Sequence, residues 1–432
     1  MLKNIMQDQL TRLLKTIRLS NPGFVFLLSL LIFFADSVIN YFVRIPVFVS
    51  WLMLLIPLLW LEIWSSGRKN RFLFVFVLIF LISFLINLFL RGFHRNNLSD
   101  LVFILAFPTA YYYYQTYKEK LGMDKIQIFL VIVVLMFSFT FFGVNSTNNN
   151  RSQEIKSEYS TELKRVIKDP QSKWNHLETN RLYHWGLFRI PHIAAYFMGY
   201  LMFFYGMLYQ QQKKIRWLIL SLVLLFFMFY SGVRTYIVAS AFACFFYLLK
   251  KKYWITLSAS TCMILLMLLF RIKLHELTVN TFLHPFTASM ITLVDNFDKF
   301  SRVLIWGSWW IGFSSFEWHD LMIGKSFLES MLTNLNHLHL GEWFHNDFLS
   351  IAFSYGIPAL FVYVIFLIKI YLDNSKEIRR HVILFLAFWS FIFSAFINGG
   401  YYYFPVFYLF TFLIMIRMER EKTHKPIAVQ LK

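Results

Sequence analysis

Apolar runs of about 18 or more residues recur along this chain from end to end, and runs of that length are what a helix needs to cross a bilayer. No water-soluble fold requires so much apolar surface. Of 432 residues, 58% are hydrophobic, 20% aromatic and only 15% charged. The 52 Phe suit lipid-facing helices, and the 13 Trp and 23 Tyr suit the two interfacial belts. The expected fold is an all-α polytopic membrane protein, one integral membrane domain over 1–432. About twelve spans fall near 24–42, 47–64, 72–90, 99–115, 126–143, 191–210, 216–231, 234–249, 253–271, 347–371, 380–397 and 401–416.

A formal net charge of +19 raises the question of nucleic acid. The basic residues argue against it, because they lie in short clusters between spans, where positive loops fix topology. Such clusters precede the first span (Lys3, Arg12, Lys15, Arg18) and follow the second (Arg68, Lys69, Arg71), fourth, sixth, eighth, tenth and last. The positive-inside rule therefore puts both termini in the cytoplasm. The turn holding Arg91 and Arg95 is the exception, being basic on the outer side. The N-terminus lacks the short apolar core and cleavage site of a signal peptide and reads as an amphipathic lead-in. Cys244 and Cys262 lie in apolar runs and give neither a metal spacing nor a disulfide framework; small buried hydrophobes are expected there.

Two connections are long, 144–190 and 272–346, and both fall on the outer face. Loops of that length usually have a function of their own. The first is polar, with helix formers over 154–168, and ends in the aromatic and basic run RLYHWGLFRIPH. The second contains SRVLIWGSWWIGF at 301–313, which is short and rich in Gly and Trp. An interfacial or re-entrant helix fits it better than a span.

Polar groups held at the bilayer edge are the candidates for chemistry. Arg234, in a tight turn between two spans, sits close to the outer interface, and its planar fork suits phosphate oxygens; snorkelling to headgroups is the competing reading. Arg302 opens the amphipathic stretch of the second loop. His345, beside Asn346 and Asp347, lies one turn before a helix whose Gly356 and Pro358 loosen it. Asn346 or Asp347 can cap that helix, and its N-terminus favours an anion. A neutral imidazole can accept a proton from a hydroxyl near pH 7. Arg181, Tyr183, Trp185, Arg189 and His192 place aromatic faces beside basic groups, which suits sugar rings, phosphate or an interfacial belt. Trp306, His337 and Asn346 are further candidates for contact with a glycan or acceptor. Among the polar residues inside spans, Asn40 and Asn87 suit interhelical hydrogen bonds, and Asp36 is an isolated acid. No HExxH or CxxC spacing points to zinc, and no Walker A or GxGxxG points to a nucleotide, so neither metal nor cofactor is expected.

Three pieces together resemble the bacterial O-antigen polymerase and O-antigen ligase superfamily: HNDFLSIAFSYGIPAL at 345–360, SGVRT at 231–235, and RVLIW at 302–306 followed by Ile323-Gly324-Lys325. They span roughly 190–400. Two positions depart from the pattern: Gly232-Val233 stands before the arginine where a Ser is usual, and Pro358 stands where a second Gly is usual. The resemblance implies a helical membrane fold of the C-type glycosyltransferase kind, with periplasmic loops containing short helices. It also implies metal-independent glycosyl transfer from a polyprenyl-diphosphate-linked glycan at the periplasmic face of a bacterial inner membrane. In those terms Arg234 and Arg302 bind the diphosphate and His345 is catalytic. A polymerase of O-antigen or related surface polysaccharide is expected, with a chain-length regulator as a further protein partner. The alternatives are a ligase that hands finished glycan to lipid A–core and, from a different class, a flippase.

Overall fold

A computed structural model of the chain describes residues 47–65, 70–117, 191–231, 233–278, 301–338 and 343–401, with scattered helical positions over 25–36 and 287–294. Among them there is no strand. Helices α1 (Val47–Ser65), α2 (Arg71–Arg91) and α3 (Arg95–Tyr117) form one group. Helices α4 (Pro191–Gln212), α5 (Ile215–Tyr230), α6 (Arg234–Lys250), α7 (Trp254–Leu269) and α8 (Arg271–Thr278) follow. The second long connection is built of α9 (Ser301–Ser314), α10 (Trp318–Ile323) and α11 (Phe327–Leu338). The last described part is α12 (Asp347–Tyr355), α13 (Ile357–Asp373), α14 (Ser375–Arg380) and α15 (Val382–Ile397). The expected spans near 24–42, 126–143 and 401–416 lie wholly or largely outside the described residues, as does the 144–190 loop with Arg181, Tyr183, Trp185 and Arg189.

Helix α2 shows how the apolar runs are used. Asn70 accepts from the Leu73 N–H at its start, and Gly92, with φ +80°, ends it by donating to the Leu88 carbonyl. Leu73, Phe76, Phe80, Ser83 and Asn87 recur at helical spacing and are buried. The opposite face is equally apolar yet exposed, Phe89 to 90%. At ~1.5 Å per residue, this 21-residue helix is long and apolar enough to cross a membrane. It is the single unbroken helix among the described residues that passes that test on length and composition; α7 and α8 pass it only as a pair bent by 74°.

Helix α3 is the core. Nearly every residue from Leu101 to Tyr114 is buried, and Thr109 accepts from the Trp60 indole of α1 at 2.7 Å. Phe366 of α13 stacks among Phe76, Phe107 and Tyr111, which joins α2, α3 and α13.

Two expectations need correction. The stretch 347–371 is not one span. A continuous helix would separate residues 348 and 363 by ~22 Å. Instead the Phe348 and Tyr363 rings lie 5.9 Å apart, so α12 doubles back along α13. Gly356 makes the reversal at φ +86°, a region open to glycine. A Cβ there would also meet the Met322 carbonyl oxygen at 2.5 Å. The stretch expected over 253–271 is helical as α7, after which the chain bends by 74° into α8. Second, Cys244 and Cys262 are exposed on α6 and α7, not buried. They occupy the outward side of helices whose outward residues are apolar in any case.

Candidate functional site

The site is assembled around a four-residue turn, Asn398-Gly399-Gly400-Tyr401, at the end of α15. The Asn398 and Gly399 N–H groups both donate to the Ser394 carbonyl at 2.9 Å, which closes the helix. Gly399 sits at φ +86°. The Trp343 ring and the Asp347 carboxylate press on it so closely that a Cβ would overlap the ring and lie 2.7 Å from Asp347 Oδ1.

Helix α12 reaches this turn with its N-terminus. Asn346 is the cap, its side-chain oxygen accepting from the Phe348 and Leu349 N–H groups at 3.0 and 3.1 Å. That oxygen is therefore committed to the helix, and the amide nitrogen of Asn346 takes no part in the cap. Asp347 caps nothing. Its fully buried carboxylate accepts from the Gly400 N–H at 2.9 Å, the Tyr401 N–H at 3.2 Å and the Tyr363 hydroxyl at 2.9 Å. His345 precedes them at φ +52°, in the left-handed region that a side chain enters at a cost of about 1–3 kcal/mol. It is 7% exposed, with its ring centroid 5.2 Å from that of Trp343.

Arg302, in the first turn of α9, reaches the same turn from another side, its Nη2 donating to Asn398 Oδ1 at 2.5 Å. Helix α9 runs in the same direction as α12: Trp309 donates to the Leu349 carbonyl at 3.0 Å, and further along Phe316 packs on Phe353. Both helices thus begin at one end. Ile305, Phe344 and Phe353 form the small buried cluster between them, and Trp306 packs against it.

Arg234 starts α6, which lies antiparallel to α15. Phe242 pairs with Phe393 and Phe246 with Trp389. Continuing that register by two turns sets Arg234 level with 398–401. Helix α4 closes the remaining side. Tyr196 donates to the Gly399 carbonyl at 3.3 Å and packs on Tyr236, half a turn beyond Arg234. His192, one turn before Tyr196, is half-buried at that end. His337 is exposed in the last turn of α11. Three helix N-termini are thereby gathered toward one turn, with Arg302 bonded to it, His345 two residues before Asp347 and Arg234 level with it, an arrangement that favours an anion.

Sequence reasoning missed the second carboxylate. Asp100, in the second turn of α3, is fully buried and accepts from the Tyr355 and Tyr401 hydroxyls, each at 2.8 Å. The turn itself falls in the expected break between the stretches 380–397 and 401–416, but its place under the site was not foreseen. A separate cluster joins the second connection to α2. Arg91 donates to Asp320 at 2.9 Å and to the Gly324 carbonyl at 3.1 Å, and Asn87 donates to the Ile323 carbonyl at 2.9 Å. Asn87 of α2 thus makes an interhelical hydrogen bond, to the last residue of α10, and Arg91 in the basic 91–95 turn has its counter-ion. Gly324 (φ +74°) lets this crossing form against the Ser354 backbone.

Among the described residues, no group of three or more His, Cys, Asp or Glu side chains is arranged to hold a metal ion. No protein-family model matches this chain, and neither a curated protein nor a solved structure matches it.

Proposed function

We propose that this chain is a multi-pass glycosyltransferase of the bacterial inner membrane. In this reading it polymerises polyprenyl-diphosphate-linked repeat units of a surface polysaccharide at the periplasmic face. The observation that carries the reading is the meeting of Arg302 and the His345–Asp347 segment on one turn, with Arg234 level with it. Helices apolar on their exposed faces, such as α2 and α7, support a bilayer setting.

In the reaction, an acceptor sugar hydroxyl attacks the anomeric carbon of the donor. A new C–O bond forms as the bond from that carbon to the diphosphate oxygen breaks. His345 takes the hydroxyl proton, and polyprenyl diphosphate leaves with the bonding pair. General-base help of this kind contributes about 10²–10⁴-fold. The leaving diphosphate gains charge as the bond breaks, so the fixed guanidiniums of Arg234 and Arg302 stabilise the transition state more than the ground state. The energy is stored in the sugar–diphosphate bond, so no nucleotide is needed on that face.

The test is a deletion strain examined on a lipopolysaccharide gel and complemented with variants. A single repeat unit on core in the deletion strain supports the polymerase. Bare core with glycan stranded on the lipid carrier assigns the ligase reaction instead, and unchanged long chains overturn both. His345→Ala should leave protein level intact and abolish long chains. Arg234→Lys should shorten or deplete them, because a point charge does not replace a two-pronged contact; full chain length with lysine would assign Arg234 to the headgroups.

A further inference from the structure

We propose that Asp347 is a positioning residue, fixing the Arg302 guanidinium relative to the His345 imidazole through the 398–401 turn. This rests on the glycosyltransferase reading above. Every partner of Asp347 is a donor: two backbone N–H groups of the turn and the Tyr363 hydroxyl. Both oxygens are engaged as acceptors, and none of these donors carries a charge. A fully buried carboxylate held by neutral donors contributes little that an apolar side chain would not, unless its geometry matters.

The geometry is specific. Asp347 is the first residue of α12, two positions after His345, so its backbone carries the imidazole. The Gly400 and Tyr401 N–H groups belong to the same turn as Asn398, whose Oδ1 receives Arg302 Nη2. One carboxylate therefore spans the two carriers. Tyr363 fixes it from α13, and Asp100 holds the far end of the turn through the Tyr401 hydroxyl. Gly399 admits no side chain under Trp343, so the turn has no slack in that direction. Asn in place of Asp347 keeps the shape but points an N–H₂ at donors, which displaces the turn and, with it, Asn398 and Arg302.

The experiment uses full-length protein in phosphatidylethanolamine–phosphatidylglycerol vesicles, with a polyprenyl-diphosphate-linked repeat unit as substrate. Asp347→Asn, Arg302→Ala and the double variant are compared for turnover, KM and the affinity for inorganic pyrophosphate. Asp347→Asn should lower turnover about a hundredfold, the scale of a ~1 Å misplacement, and weaken pyrophosphate binding. The double variant should be no worse than Arg302→Ala alone in either measurement. Full additivity, or normal pyrophosphate binding in Asp347→Asn, overturns the proposal. Should Asp347→Asn fail to fold, Tyr363→Phe removes a single donor and should show the same non-additivity with Arg302→Ala to a smaller degree. If wild-type protein transfers no glycan at all, the glycosyltransferase reading falls; the pyrophosphate measurements still decide whether Asp347 sets Arg302.

Discussion

Asp320 and Asp347 are both nearly or fully buried acids in the part of the chain after residue 300, and they are treated in opposite ways. Asp320 faces two cations, Arg91 at 2.9 Å and Lys325 at 3.3 Å, with the His319 ring 3.4 Å away. Those cations are themselves partly exposed, Arg91 to 23% and Lys325 to 24%. Asp347 meets only hydroxyl and amide donors, deep in the bundle. The first acid joins the second connection to the end of α2 with a bond that solvent can weaken. The second specifies a shape, since hydrogen bonds from fixed backbone tolerate neither a shift nor a change of sign. A charge near a rim fastens; a charge without a counter-ion in a core sets positions.

The largest test of this contrast is removal of each acid. Asp347→Ala strands buried donors and should lower stability by about 3–5 kcal/mol. Asp320→Ala leaves its cations able to turn to water and should lose only about 1 kcal/mol. Thermal unfolding in detergent measures both, and equal losses would erase the distinction. Next in size is Gly356→Ala. It imposes left-handed backbone on a side chain and presses a methyl group on the Met322 carbonyl, so a loss of about 2 kcal/mol or more is expected. Because Gly356 reverses the chain between α12 and α13, chain length on a polysaccharide gel should fall as well. The smallest effect belongs to the ion pair taken alone. Arg91→Ala should cost about 1 kcal/mol, and the same change should cost less in the Asp320→Ala background. The difference should shrink in 1 M salt, where the screening length is ~3 Å.

Much of the helical layout was legible. Long apolar runs marked α1 to α7 and α15 to within a few residues, because run length and charged ends are local properties. Arg234, Arg302 and His345 were visible for the same reason, as polar groups beside apolar stretches. The doubling back at Gly356 was half visible: Gly and Pro signalled a loosened helix, but a reversal depends on what the second helix packs against. The network under the site was not legible. Asp100 finds its tyrosines 255 and 301 positions along the chain, and the donors to Asp347 include two peptide N–H groups that no side-chain pattern records. The two exposed cysteines were expected to be buried, because an apolar run does not say which of its faces looks inward.

The tightness of the Asn398–Tyr401 turn has a consequence for anyone mapping tolerance position by position. Gly399 has a tryptophan ring where its β-carbon would go, Gly400 has Phe391 within 2.7 Å of that point, and Tyr401 is gripped at both its amide and its phenol. A saturation library should therefore show a run of intolerant codons there as severe as at His345, though these three residues act through shape and not by handling a sugar. Reading such a block as reactive machinery would credit the chemistry to the frame that holds it.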